Sequence, residues 1–166
     1  MKREFITFGF EFNLDELKPI RNRRYCGKPD GGLWGSPVDS NWGWKDWCES
    51  EDFYKHSGLE KGFTWTLSDS ARVLVLDSME SYQNLKWNYK ISYSDMVSME
   101  VLNFERISRD YDAVLLTESG LDELRGDLHL GFFTWDCESI LVLNPDCMEN
   151  IKSITNTLNL EKTYDY

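Results

Sequence analysis

The apolar positions of this chain fall into short runs with a period of two, separated by turn residues. Phe5-Ile6-Thr7-Phe8-Gly9-Phe10-Glu11-Phe12 is largely aromatic and β-branched and predicts a strand. Residues 62–67 alternate in the same way, 71–77 form another strand, and 109–117 read as a strand entered from an acidic turn. Ile140-Leu141-Val142-Leu143 is a continuous β-forming run, closed by Asn144-Pro145, which cannot continue a sheet interior. Helical spacing is scarcer. Trp44, Trp47 and Cys48 recur at i, i+3 and i+4, which predicts a helix from about Asp46, with these three residues on a core-facing side. Its end is expected near Lys55-His56. Shorter helical turns are expected at 13–17, before Pro19, at 79–87 and at 119–125, and the acidic tail from Glu149 reads as a helix. Residues 96–104 suit either a helix or a strand. Many short strands, few helices and no strand–helix–strand rhythm predict an α+β fold with mixed or mostly antiparallel sheets.

At 166 residues the chain reads as a single domain over residues 1–166, and 41% hydrophobic with 14% aromatic content argues against disorder. Seven Trp is a heavy load, and indoles line ligand clefts as well as cores. The net charge of −11 is spread along the chain, so non-specific binding to nucleic acid or anionic lipid is disfavoured. A local basic cleft, or mimicry of nucleic acid, remains compatible with it. Cys26, Cys48, Cys137 and Cys147 form no CxxC pair, their spacing does not suit a zinc site, and no secretory leader opens the sequence. These features predict free thiols in a reducing, cytoplasmic setting, with no bound metal and no membrane span.

Three stretches carry candidate chemistry. Asp136 and Glu138 stand at the entrance to the strand 140–143, and on extended backbone residues i and i+2 share a face. Two carboxylates so close need a compensating cation, solvent or substrate. Residues 25–37 hold four Gly and two Pro, which predicts a loop of forced geometry whose backbone N–H groups can approach a ligand. A tight turn at Asp30-Gly31 is the simpler reading of that stretch. Arg21-Asn22-Arg23-Arg24 is a dense basic cluster, suited either to a solvated loop or to an anion such as phosphate.

Lys28-Pro29-Asp30-Gly31-Gly32-Leu33-Trp34-Gly35-Ser36, followed late in the chain by Trp135-Asp136-Cys137-Glu138-Ser139-Ile140-Leu141-Val142, resembles the mono-ADP-ribosyltransferases of bacterial-toxin or phage-related type. The resemblance implies two small sheets packed around a cleft for NAD, with a few flanking helices. It implies that Glu138 stabilises the positive charge that develops on the ribose as nicotinamide leaves, and that Asp136 orients or deprotonates the acceptor. Lys28, Ser36 or Ser139 would keep Glu138 ionised, Trp34 would stack on a ring of NAD, and Arg23 or Arg24 would hold the pyrophosphate. Gly31 and Gly32 would let the loop backbone close on the cofactor. The acceptor would be a protein or a nucleic acid, and a toxin of this type could be met by an antitoxin or inhibitor protein.

Two other classes fit the same residues. One is an acidic inhibitor or adaptor that occupies a basic groove on a protein partner. The other is a catalytically silent NAD- or nucleotide-binding module. His129 alternates with Leu and reads as half-buried or on a strand face, and His56 as a helix-end residue. Cys137, between two acids, is expected to have a raised pKa and so to be a poor nucleophile.

Overall fold

The computed structural model describes residues 2–9, 11–53, 61–94 and 98–155. In chain order its strands and α-helices are β1 (Glu4–Phe8), β2 (Leu33–Pro37), α1 (Trp44–Ser50), β3 (Lys61–Leu67), β4 (Val73–Leu76), α2 (Met79–Gln83), β5 (Lys90–Tyr93), β6 (Met99–Leu102), α3 (Phe104–Ile107), β7 (Ala113–Leu116), α4 (Glu118–Leu124), β8 (Ser139–Val142) and β9 (Met148–Thr155). The fold is α+β. Seven strands form a mixed sheet in the order β4-β7-β8-β2-β1-β3-β9, and β5 with β6 makes a separate hairpin. The β4–β7 pair is parallel, and the other pairs are antiparallel.

The central strands are apolar on both faces because both faces are covered. Along β7, Val114 and Leu116 enter one core while Ala113 and Leu115 enter the other. β8 divides in the same way, Leu141 to the first core and Ile140 and Val142 to the second. The first core is closed by residues from α2, α3 and α4 together with Phe132 and Trp135. In the second, Phe63 and Trp65 of β3 pack with Phe5, whose ring stacks on Trp65 at 4.9 Å. Each fully buried side chain of this size contributes roughly 1.5–3 kcal/mol.

Four expectations are corrected. Residues 33–37, read as part of a Gly-rich loop, are strand β2. Gly31 and Gly32 take φ of 79° and 70° and complete the turn before it, so the density of glycine marks the entrance to a strand. The tight turn read at Asp30-Gly31 is instead a bridge in which Arg21 and Asp30 exchange backbone hydrogen bonds of 3.0 and 2.9 Å. The acidic tail from Glu149 is no helix within the described residues. It is β9, which covers the free edge of β3 with a register shift between Thr64 and Thr66. The described part of the ambiguous stretch 96–104, from residue 98 on, holds β6 and the start of α3. Asn103 separates them by accepting the Arg106 backbone N–H on its side chain. Residue 56 lies outside the described residues. His129 is exposed, not half-buried, and its Nδ1 lies 2.9 Å from the Ser98 carbonyl oxygen.

Candidate functional site

The site arises where β2 changes partner. Leu33, Trp34 and Gly35 pair with Val142, Leu141 and Ile140 of β8, whereas Ser36 and Pro37 pair with Ile6 and Phe5 of β1. Each half of β2 therefore lacks a ladder on one side. On the first half, the Thr7 hydroxyl donates to the Trp34 carbonyl at 2.9 Å. On the second, the Ser36 hydroxyl accepts the Trp44 backbone N–H at 2.9 Å, and it lies 3.9 Å from the Cys137 sulfur. A cleft of about 480 Å³ opens there, lined by β1, β2, Asp136, Cys137, Ser139 and the rings of Trp44 and Phe53. Sites for small organic ligands run from about 300 to 1,000 Å³.

Lys28 and Asp136 bring charge into this mostly apolar space. Lys28 Nζ lies 2.9 Å from Asp136 Oδ2 and 5.7 Å from the centroid of the Trp34 ring. Close approach of two glycines positions them. A Cβ on Gly27 would stand 1.7 Å from the Gly131 carbonyl oxygen, so only glycine allows loop 26–30 to lie against the 3-10 turn at Gly131–Thr134. The buried Trp135 indole then donates to the Gly27 carbonyl at 3.0 Å and meets Trp34 edge-on at 4.8 Å. Residue 28 on one side and residue 136 on the other follow directly.

Glu138 has a different environment. It is 4% exposed, and its Oε1 accepts Arg3 Nη1 at 2.9 Å. Arg3 Nε also donates to Asp39 at 2.9 Å, so the guanidinium joins two carboxylates. Trp42 ties the intervening backbone down. Its indole donates to the Asp136 carbonyl at 3.1 Å, and its own carbonyl accepts the Glu138 N–H at 3.0 Å. The shared face expected of Asp136 and Glu138 is therefore not formed. β8 begins only at Ser139, the segment before it is not extended strand, and each acid turns to its own cation.

Of the residues singled out in the sequence, Lys28, Gly32, Trp34, Ser36 and Asp136 line the cleft together. Glu138, Arg23, Arg24 and Gly31 do not. Arg23 faces Asp30 at 3.7 Å, and Arg24 lies over the rings of Tyr25 and Tyr93. A Cβ on Gly31 would strike the Pro19 carbonyl oxygen at 2.3 Å, so this residue serves the turn. Sequence reasoning missed Arg3, Thr7, Trp42 and Phe53, and it assigned Trp44 to the core. Trp44 does stack on Trp47 at 4.8 Å, yet its exposed remainder faces the cleft. The helical spacing marked this aromatic face correctly but could not say which of its members stays open. Cys137 lines the cleft, and burial pushes its thiol pKa up, with Asp136 adding to the effect; hydrogen bonds with Ser139 and Ser36 and the nearby Lys28 pull the other way.

The chain matches no protein-family model, no curated protein and no solved structure.

Proposed function

We propose that the cleft is a site for NAD and that the protein transfers ADP-ribose from it to a macromolecular acceptor. The observation that carries this reading is the Lys28–Asp136 pair beside the Trp34 ring, inside a cleft otherwise lined by apolar and aromatic groups. NAD asks for these features: flat faces for its rings, a cation for its phosphates and an anion near its ribose. A volume of about 480 Å³ suits one of its two nucleotide halves.

In the reaction the bond between ribose C1′ and the nicotinamide nitrogen breaks, and its electron pair leaves with neutral nicotinamide. The cationic ribose is captured by a nucleophile on the acceptor, which gives up a proton as the new bond forms. Asp136 is the carboxylate that faces this space, so the charge-stabilising task that the resemblance assigns to Glu138 passes to Asp136 in this reading. Lys28 holds Asp136 in the absence of ligand and is free to meet a phosphate once ligand enters. Glu138, held by Arg3, fixes the backbone from which Asp136 projects.

A second reading is binding without turnover, favoured by the placement of Glu138 away from the cleft. Calorimetric titration with NAD, coupled to an assay of nicotinamide release and of label transferred from NAD to a cell lysate, separates the two. The proposal expects saturable binding and release that Asp136→Asn abolishes. Binding without release supports the silent module, and absence of binding overturns both.

A further inference from the structure

The basic cluster is left unused by the cleft. From Lys18 to Asp30 the chain carries five cations, Lys18, Arg21, Arg23, Arg24 and Lys28, against a single acid, in a protein of net charge −11. Lys18, Arg21, Arg23 and Arg24 are exposed. The Arg21–Asp30 bridge holds the cluster on the loop that delivers Lys28 to the cleft. The acid of this segment neutralises little, since Arg23 and Asp30 are 3.7 Å apart and both mostly exposed. A neighbouring acid, Glu105, accepts the Asn22 backbone N–H at 3.1 Å.

The cluster also carries flat faces. Arg24 lies 5.0 Å from the centroid of Tyr25 and 5.9 Å from that of Tyr93, and the two rings stand 4.7 Å apart. Tyr93 comes from β5, so two distant segments build this platform. Tyr25 sits in a turn with a φ of 56°, a left-handed conformation that a bulky residue seldom adopts.

We infer that Arg21, Arg23, Arg24, Tyr25 and Tyr93 form a docking surface for single-stranded nucleic acid. Guanidinium groups meet phosphates, and the tyrosine and arginine planes stack on unpaired bases. An acidic peptide would use the charge but not the rings. A duplex would offer phosphates but keep its bases from the rings. The acidic remainder of the protein repels a phosphate backbone, which confines the strand to this patch. The inference stands independently of turnover in the cleft, and its test contains no NAD.

The test is fluorescence anisotropy with labelled single-stranded DNA and RNA of about twelve nucleotides, the matching duplex, and a polyglutamate peptide. Three phosphate contacts give a log–log salt slope of about −2, so affinity for a single strand falls about 16-fold from roughly 50 to 200 mM salt. This is read on the unaltered protein. Replacing Arg21, Arg23 and Arg24 together by Ala removes binding, and Tyr93→Ala weakens it about tenfold, with circular dichroism confirming that both variants are folded. The DNA and RNA arms decide which strand is preferred. Equal binding of the duplex overturns the single-strand assignment. Tighter binding of polyglutamate overturns it in favour of an acidic protein partner, and absence of all binding overturns it outright.

Discussion

Lys28 and Asp136 are 108 residues apart in the chain and meet at 2.9 Å, because Gly27 and Gly131 let their two segments touch. The pair is partly exposed, with side-chain accessibilities of 32% and 24%, so it contributes about 1 kcal/mol or less to folding. Lys28→Met and Asp136→Asn are therefore expected to shift the thermal midpoint only slightly while each weakens NAD binding at least several-fold. Melting curves and calorimetry on the same samples check this. A large loss of stability with unchanged affinity would show that the pair serves the fold and not the ligand.

Arg3 and Glu138 should behave in the opposite way. Removing Arg3 leaves a buried carboxylate without its cation, a change that typically costs about 3–5 kcal/mol. Arg3→Met is expected near the lower end of that range, since the guanidinium is itself partly exposed. Glu138→Gln costs less, because Arg3 keeps Asp39. The double variant Arg3→Met/Glu138→Gln should be more stable than Arg3→Met alone. Urea denaturation of the three proteins gives the comparison, and simple additivity would rule out direct coupling.

Asp112 ties three strands of the sheet together. Its carboxylate accepts the Arg72 backbone N–H at 2.9 Å, the Arg72 guanidinium twice at 3.2 Å and the Asn144 amide at 3.2 Å. The Arg72 side chain, above all, holds this carboxyl below the usual carboxylate range. A depressed folded-state pKa means that the stabilisation is complete above the unfolded value of about 3.9 and is lost as pH falls through the lower folded value. Asp112→Asn is expected to cost about 1–3 kcal/mol at neutral pH, with the gap to the parent closing below about pH 4. Unfolding free energies measured from pH 7 down to about 2 would show the convergence, and parallel curves would refute it.

Two glycine substitutions test how the loop is seated. Gly27→Ala drives a methyl group into the Gly131 carbonyl and should destabilise by about 3 kcal/mol or move the loop. Gly126→Ala meets nothing within 4 Å and should be neutral or stabilising by a few tenths to about 1 kcal/mol. If Gly27→Ala retains the fold but loses NAD binding, the displaced element is the one that carries Lys28.

Most strands were legible because their burial pattern is a local property. β1, β3, β4, β7 and β8 each show the run or alternation that a packed strand requires. β2 and β9 were not. β2 is short and rich in Gly and Pro, and it is a strand only because β8 and β1 each supply part of a ladder. β9 is polar, and it is held by the free edge of β3. Neither partner can be seen from the segment itself.

The candidate site divides along the same line. The amino-acid sequence by itself determined the chemical inventory: a Lys, a Trp and a Ser on a Gly-rich segment, and two acids before an apolar run. It also determined that the Gly-rich segment would hold forced backbone geometry, since glycine takes positive φ more readily than any other residue, as Gly31 and Gly32 do. Which acid faces the cleft was decided only by tertiary structure. Asp136 and Glu138 are two residues apart, yet Lys28, before β2, draws one and Arg3, before β1, draws the other. Pairing of buried charge depends on where distant cations arrive, and that is set by packing of the whole sheet, not by spacing along the chain.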